Sequence, residues 1–379
     1  MKRIYLDISA TTPLSSRVSD FMHRLQQEAY GNPSSIHREG QTAHAVVEKS
    51  RRQISRVLNC KADEIIFTSS GTEANNMVLK GVLTKGDHFI TSSYEHPAIL
   101  RVLPYLEELG VEISLVKPDT KGQITLQAIK YAFKENTRLI SIMYVNNELG
   151  TINPIAEIGN FVQSQNVLFH SDAVQAMGKI PLDVQSIPID FMSMSAHKLY
   201  GPKGSGALFK RDGTNLNPLI HGGGQEANLR ASTENVVGIA GFGMAAELAN
   251  ISLKENTEHI KDLETCFVEN LEGQSINYHI NGENRIPGVF NITFPGEDGP
   301  SLVMKLDLAG ISISFGAACA SGASKASGML LDIGLSEQDA RASVRISFGK
   351  IHSMKDIKQL VETIHSLIRH EQFTGAIEG

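Results

Sequence analysis

Apolar and polar positions along the chain change period several times, and each change marks an element. From about residue 38 to 300 helical and strand patterns alternate, beginning with Ala43, Val46, Val47, Ile54, Val57 and Leu58 at helical spacing in an otherwise charged stretch, which predicts a helix. Glu64-Ile65-Ile66-Phe67-Thr68 then reads as a strand, followed by a helix entered at Gly71-Thr72-Glu73. The same alternation returns as strand 88–93 with helix 96–109, strand 111–116 with helix 125–133, and strand 138–145 with helix 154–165. Leu139 to Val145 is a nearly continuous apolar run, as expected of a strand covered on both faces. Alternating strands and helices of this kind predict an α/β domain around a mostly parallel sheet.

The pattern changes after about residue 234. A helical stretch from Glu234 into the 260s is too long for a routine globular helix unless it joins two bodies. Val289 to Phe294 and Ile311 to Phe315 alternate like half-buried strands, and 354–371 is an amphipathic helix. These segments predict a smaller α+β domain formed by 251–379 and completed by residues 1–12, beside a large domain over 13–250. The Gly- and Ser-rich run from Phe315 to Gly328 reads as a loop able to move.

Composition narrows the class of function. The chain of 379 residues carries 41 acidic and 35 basic side chains, net −6, with no run of lysine or arginine that would mark a nucleic-acid groove. Cys60, Cys266 and Cys319 are far apart, which argues against a disulfide framework or a metal-ligating spacing and for a reducing compartment. The first residues lack an apolar signal core, and no apolar run is long enough to span a bilayer. The cytoplasm is the expected location.

Ligands of parallel sheets sit beyond the carboxyl ends of the strands, so the predicted strand ends carry the candidate chemistry. Lys198, in Ser195-Ala196-His197-Lys198-Leu199-Tyr200-Gly201-Pro202, leaves a strand beside a Gly/Pro turn. Partly buried there, a lysine can form a Schiff base with an aldehyde, with Ser195 and His197 near enough to hold a phosphate; a solvated loop lysine is the ordinary alternative. Asp172 and Gln175 follow another apolar strand, where a carboxylate can keep a pyridine nitrogen protonated or simply cap the next helix. Gly71 and Thr72 open a helix whose free N–H groups suit a phosphate, although a plain N-cap looks the same. His96, in Glu95-His96-Pro97, can move protons near neutral pH or serve as a turn residue. Asn147 ends a fifth strand, and Arg345 alternates within a later one, where it can clamp a carboxylate or be merely exposed. Cys319 sits among Gly, Ala and Ser, a setting in which a thiolate can be presented, whereas Cys60 and Cys266 fall in helical patterns and read as core.

Taken in order, Tyr5-Leu6-Asp7 with Ala10-Thr11-Thr12-Pro13, Gly31-Asn32-Pro33-Ser34-Ser35, Gly71-Thr72-Glu73-Ala74-Asn75, Glu95-His96, Val145-Asn146-Asn147-Glu148, Asp172-Ala173-Val174-Gln175, Ser195 to Gly204, His221-Gly222-Gly223-Gly224-Gln225-Glu226, Arg230-Ala231-Ser232-Thr233 and the Cys319 loop resemble the cysteine desulfurases, of the class V branch of the aspartate-aminotransferase fold. The resemblance covers nearly the whole chain and implies a pyridoxal 5'-phosphate (PLP) enzyme of fold type I. It implies Lys198 as the residue holding the cofactor, Asp172 against the pyridine nitrogen, Gln175 at the ring oxygen and His96 stacked on the ring. Gly71, Thr72, Ser195 and His197 would hold the phosphate, with Thr233 supplied by the partner of a homodimer. Asn32, Asn147 and Arg345 would bind the carboxylate of L-cysteine, and Cys319 would take its sulfur as a persulfide for a sulfur-acceptor protein such as an iron–sulfur scaffold. The loop resembles the longer-loop group, but Phe315, Ala317 and Ala320 stand where the family often has serine or threonine, and Lys350 stands where arginine is common.

Two other readings compete. A selenocysteine lyase could share every residue named, whereas a class V aminotransferase or epimerase would leave Cys319 without a role. A non-catalytic scaffold of the same fold predicts loss of Lys198, Asp172, His96 or Cys319, and all four are present.

Overall fold

Strands that lie inside a sheet must be apolar on both sides, and the runs picked out above become the interior of a seven-stranded sheet in the computed structural model, which describes residues 3–316 and 327–374. After a short first strand, β1 (Ile4–Tyr5), the sheet is made of β2 (Ile65–Thr68), β3 (His88–Ser92), β4 (Glu112–Val116), β5 (Thr137–Ser141), β6 (Leu168–Asp172), β7 (Phe191–Ser195) and β8 (Gly206–Lys210). Its order is 2-8-7-6-5-3-4. Strands 7, 6, 5, 3 and 4 run parallel, while β8 is antiparallel to both neighbours. The mostly parallel α/β sheet expected from the alternation is therefore present. Every residue of β3 and β7 is buried, whereas β4, at the edge, exposes Glu112 and Leu115, in keeping with its weaker apolar pattern.

Several boundaries differ from the expectation for local reasons. The helical stretch after Glu234 is two helices, Val236–Ile251 and Leu253–Gly273, bent by 69°. The first is apolar on all sides and mostly buried, as a helix inside a core must be; the second is amphipathic and packs with the C-terminal helix Met354–Thr374. The predicted helix 96–109 is split into Pro97–Leu100 and Leu103–Leu109. Strand 138–145 stops at Ser141 as a regular strand and returns only as a Val145–Ile152 bridge. Cys60 follows the helix Arg38–Leu58, which ends on left-handed Asn59. No single helix among the described residues is long and apolar enough to cross a membrane.

A second set of strands follows: β9 (His279–Asn281), β10 (Val289–Thr293), β11 (Ile311–Ser312) and β12 (Ser343–Ser347). Strands 12, 10 and 9 form an antiparallel sheet, and β1 pairs in parallel with β11. The N-terminal residues thus pair with the C-terminal part of the chain. Their core gathers Ile4 and Leu6 with Leu263, Phe267, Phe290, Ile346 and Phe348. The rings of Phe267, Phe290 and Phe348 meet with centroids 5.0–6.0 Å apart. Each ring stabilises the fold by roughly 1.5–3 kcal/mol through burial.

Two ion pairs hold the segment around residues 221–233: Arg51–Glu226 and Arg230–Glu73. Glu226, Ala227 and Asn228 all adopt positive φ, a conformation that disfavours side-chain-bearing residues by about 1–2 kcal/mol each. Glu226 offsets this by pairing both carboxylate oxygens with Arg51 at 2.8 Å and accepting from Phe67 N–H at 2.7 Å. A bidentate, backbone-supported pair of this kind ties the loop to β2.

Candidate active site

The carboxyl ends of the parallel strands open on a cleft of about 210 Å³, and the polar residues singled out at those ends line it. It receives Gly71 and Thr72 from the helix after β2, His96 from the turn after β3, and Asn147 from the loop beyond β5. Asp172 and Gln175 come from β6 and its following turn, and Ser195, His197 and Lys198 from the end of β7. Arg345 enters from β12, across the seam between the two sheets. Residues far apart in sequence converge because parallel strands all deliver their ends to one edge.

The turn at Gly71 shows how sequence shapes the site. The helix Gly71–Val82 is capped by Ser70, whose hydroxyl accepts from Glu73 N–H at 3.2 Å. A side chain at position 71 would meet Val174 at 2.6 Å, so only glycine lets the helix start against the β6 turn. The first amides of that helix have no carbonyl within it to bond, and Thr72, Ser195 and His197 line the same end of the cleft. A tetrahedral anion is the natural ligand there.

Asp172 is 5% exposed. One oxygen accepts from Asn75 Nδ2 at 2.6 Å, the other from Val174 N–H at 2.9 Å. The carboxylate therefore closes a turn and also faces the cleft; no helix follows for it to cap. Asn75, one helical turn beyond Gly71, lines the cleft and holds the acid in place, though sequence reasoning left it without a role. Its i, i+4 spacing from Gly71 was the available signal.

His96 accepts from Ala98 N–H through Nδ1 at 3.1 Å, capping the short helix Pro97–Leu100. The bond places the proton of the neutral ring on Nε2. Burial holds the histidine pKa below its usual value, and Lys198 adds to this while Asp172 opposes it. The turn and cleft readings of His96 are both met by one ring. His197 is held down at about 4 by burial and by Lys198, Lys203 and Lys179; its Nδ1 lies 3.0 Å from Thr11 Oγ1. It is a neutral donor or acceptor, not a cation.

Lys198 is partly buried, and its ammonium donates to the carbonyls of Ser9 and Ala10 at 2.6 and 2.8 Å. The solvated-loop alternative therefore fails. Arg345 is 1% exposed, not an exposed strand residue. Nη2 donates to Asp7 Oδ1 at 2.7 Å and Nη1 to Asn147 O at 2.8 Å, while Nε has no partner among the described residues. Asp7, whose other oxygen accepts from Ser314 at 2.9 Å, is a further residue that the sequence placed only within a motif.

Three expected site residues stand apart. Asn32 and Thr233 are exposed and do not line the cleft. Cys319 lies outside the described residues, whose flanks are tied close to the site: Ser314 bridges to Arg345, and Ser327 donates to Glu148 at 3.0 Å. Of the other cysteines, Cys266 is buried, and Cys60 is pushed up to about 12 by burial and by Glu64 and Asp63. Cys60 therefore offers no thiolate at neutral pH.

The sequence profile of the family Aminotransferase class-V matches residues 4–360. The chain is 42% identical to the cysteine desulfurase IscS of Dictyoglomus turgidum over 375 residues, 97% of this chain and 95% of that one. Among solved structures, a NifS-like protein superposes with a TM-score of 0.91 at 34% identity, over 97% of this chain and all of that one. The protein SspA, solved in complex with cysteine, superposes with a TM-score of 0.82 at 36% identity, over 91% and 98% of the two chains. Fold, order of motifs and near-complete overlap agree: the chain belongs to the class V aminotransferase family and, within it, to the cysteine desulfurases.

Proposed function

We propose that the chain binds PLP in this cleft and takes sulfur from L-cysteine, Cys319 receiving it as a persulfide and L-alanine leaving. The observation that carries this reading is the meeting of Asp172, His96, Lys198 and Arg345 around one cavity at the strand ends. The residues present suit the cofactor. The helix start at Gly71 and Thr72 lines the cleft, Asp172 presents a braced carboxylate, and Gln175 and Lys198 lie within the same cleft.

When bound, PLP withdraws electrons from the substrate's α-carbon and so weakens the bond between Cβ and sulfur. Asp172 keeps the ring nitrogen protonated, held by Asn75 against turning away. Thr72, Ser195 and His197, with the helix N-terminus, bind the phosphate. Arg345 receives the substrate carboxylate from its place on the cleft wall. Lys198 carries the cofactor and moves the α-proton, and neutral His96 exchanges a proton through Nε2. The Cys319 thiolate then forms an S–S bond as the Cβ–S bond breaks, and a proton takes the place of sulfur on Cβ. Atoms balance as one thiol and L-cysteine giving one persulfide and L-alanine.

Further parts of the reading go with it. Asn32 and Asn147 assist at the carboxylate. Thr233, exposed on a loop outside the chain's own cleft, serves the site of a partner in a homodimer. The persulfide passes to an acceptor protein such as an iron–sulfur scaffold, in the cytoplasm.

Incubating the protein with PLP, L-cysteine and a reductant is expected to release sulfide and alanine in equal amounts, and Cys319→Ser to end both. Undiminished release by Cys319→Ser would overturn the persulfide step, and activity confined to selenocysteine would favour a lyase instead. The acid side of the pH profile is expected to reflect His96. Since burial depresses its pKa, the required neutral ring persists as pH falls through ~6.5, the ordinary histidine value, and is lost only below it. Rate measurements on wild type and His96→Gln test this: the variant should lack that limb, and a wild-type limb at or above the ordinary value would contradict it.

A further inference from the structure

Gln175 is held at both ends of its amide. Nε2 donates to Ser9 O at 2.8 Å, and Oε1 accepts from Lys179 Nζ at 2.6 Å. The Ser9 carbonyl can only accept, which fixes the orientation of the amide, and Lys179 donates to its oxygen. One N–H of Gln175 is then left for a ligand of the cleft. Lys179 stands behind this amide and lines a separate small cavity with Lys198 and Lys350, in which no carboxylate takes part.

We propose that Lys179 is a positioning residue that acts through Gln175, keeping one amide N–H available to the ring oxygen of PLP and strengthening it by polarising the amide. The proposal rests on the PLP reading of the cleft. Physical reasoning favours it over a purely structural role. Holding an ammonium half-buried against one neutral acceptor opposes folding, and an apolar side chain of similar length would fill the space without that penalty. Burial, Lys198 and Arg345 together lower the Lys179 pKa to about 7, the response of a cation surrounded by cations. A donor and a positive charge at the ring oxygen both disfavour protonation of the cofactor's chromophore.

The test is a pH titration of the visible absorbance of the PLP-loaded protein, which needs no turnover. Lys179→Met is expected to raise the apparent pKa of the bound chromophore by about one unit, and Lys179→Arg to keep the wild-type value. Gln175→Leu is expected to raise it similarly, and the double variant no further than Gln175→Leu alone. If Lys179→Met does not fold, Lys179→Gln, which keeps a donor without the charge, should give part of the shift. An unchanged pKa in the neutral variants, or shifts that add fully in the double variant, would overturn the role of Lys179 through Gln175. A wild-type protein without any PLP band would instead overturn the cofactor reading on which the proposal rests.

Discussion

Replacing Lys198 with alanine is expected to lower desulfuration by on the order of 10⁴-fold or more, because in the proposed mechanism one side chain supplies both the covalent anchor and the general base. The fold should survive the change. The lost ammonium leaves the Ala10 carbonyl without this donor, while Ser9 O keeps Gln175 Nε2, a penalty of about 1–3 kcal/mol if water does not replace it. A chain with large buried apolar clusters should tolerate that, so thermal unfolding is expected to shift by only a few degrees. The visible absorbance that PLP gives on binding should change with the activity. A variant that kept the wild-type spectrum and rate would remove Lys198 from the mechanism and leave the cleft without a nucleophile.

The second large effect is expected at Arg345. Arg345→Met should raise KM for L-cysteine by roughly 30-fold to several thousand-fold, the equivalent of the 2–5 kcal/mol lost when one partner of a desolvated charge pair is truncated. The effect on kcat should be far smaller, since the carboxylate is bound throughout. The same substitution leaves Asp7 without its cation in a buried site, which destabilises by about 3–5 kcal/mol. Adding Asp7→Asn separates these consequences: the double variant should recover most of its stability while KM stays high. Lowered stability with an unchanged KM would make Arg345 a structural brace only.

Asp7 joins these two roles. It neutralises Arg345 through one oxygen and accepts from Ser314, five residues before Cys319, through the other. An arginine buried alone would be costly. Held by Asp7 through Nη2 and by Asn147 O through Nη1, it lines the cleft.

Much of this arrangement was legible in the chain itself. The apolar runs at β3, β5 and β7 announced a sheet covered on both faces, and Gly71, Asp172 and Lys198 marked strand ends because small, polar and turn-forming residues interrupt those runs. What stayed hidden depended on contacts between distant segments. The bend between Ile251 and Leu253 was hidden because both sides are helical in pattern, and only packing on the core and on the C-terminal helix sets their directions. Asn75 and Asp7 were visible as parts of motifs, yet their partners, Asp172 and Arg345, lie 97 and 338 residues away.

Sequence by itself determined the fold class and the chemical inventory, because side-chain periodicity follows burial and because an ordered set of motifs spans the chain. Tertiary structure decided which groups are charged, neutral or braced. His96 and His197 are kept neutral by burial beside Lys198, and Arg345 is inside the protein although its strand pattern fits an exposed position equally well. Protonation and orientation depend on desolvation and on neighbours brought together by folding, and no local stretch of sequence carries either quantity.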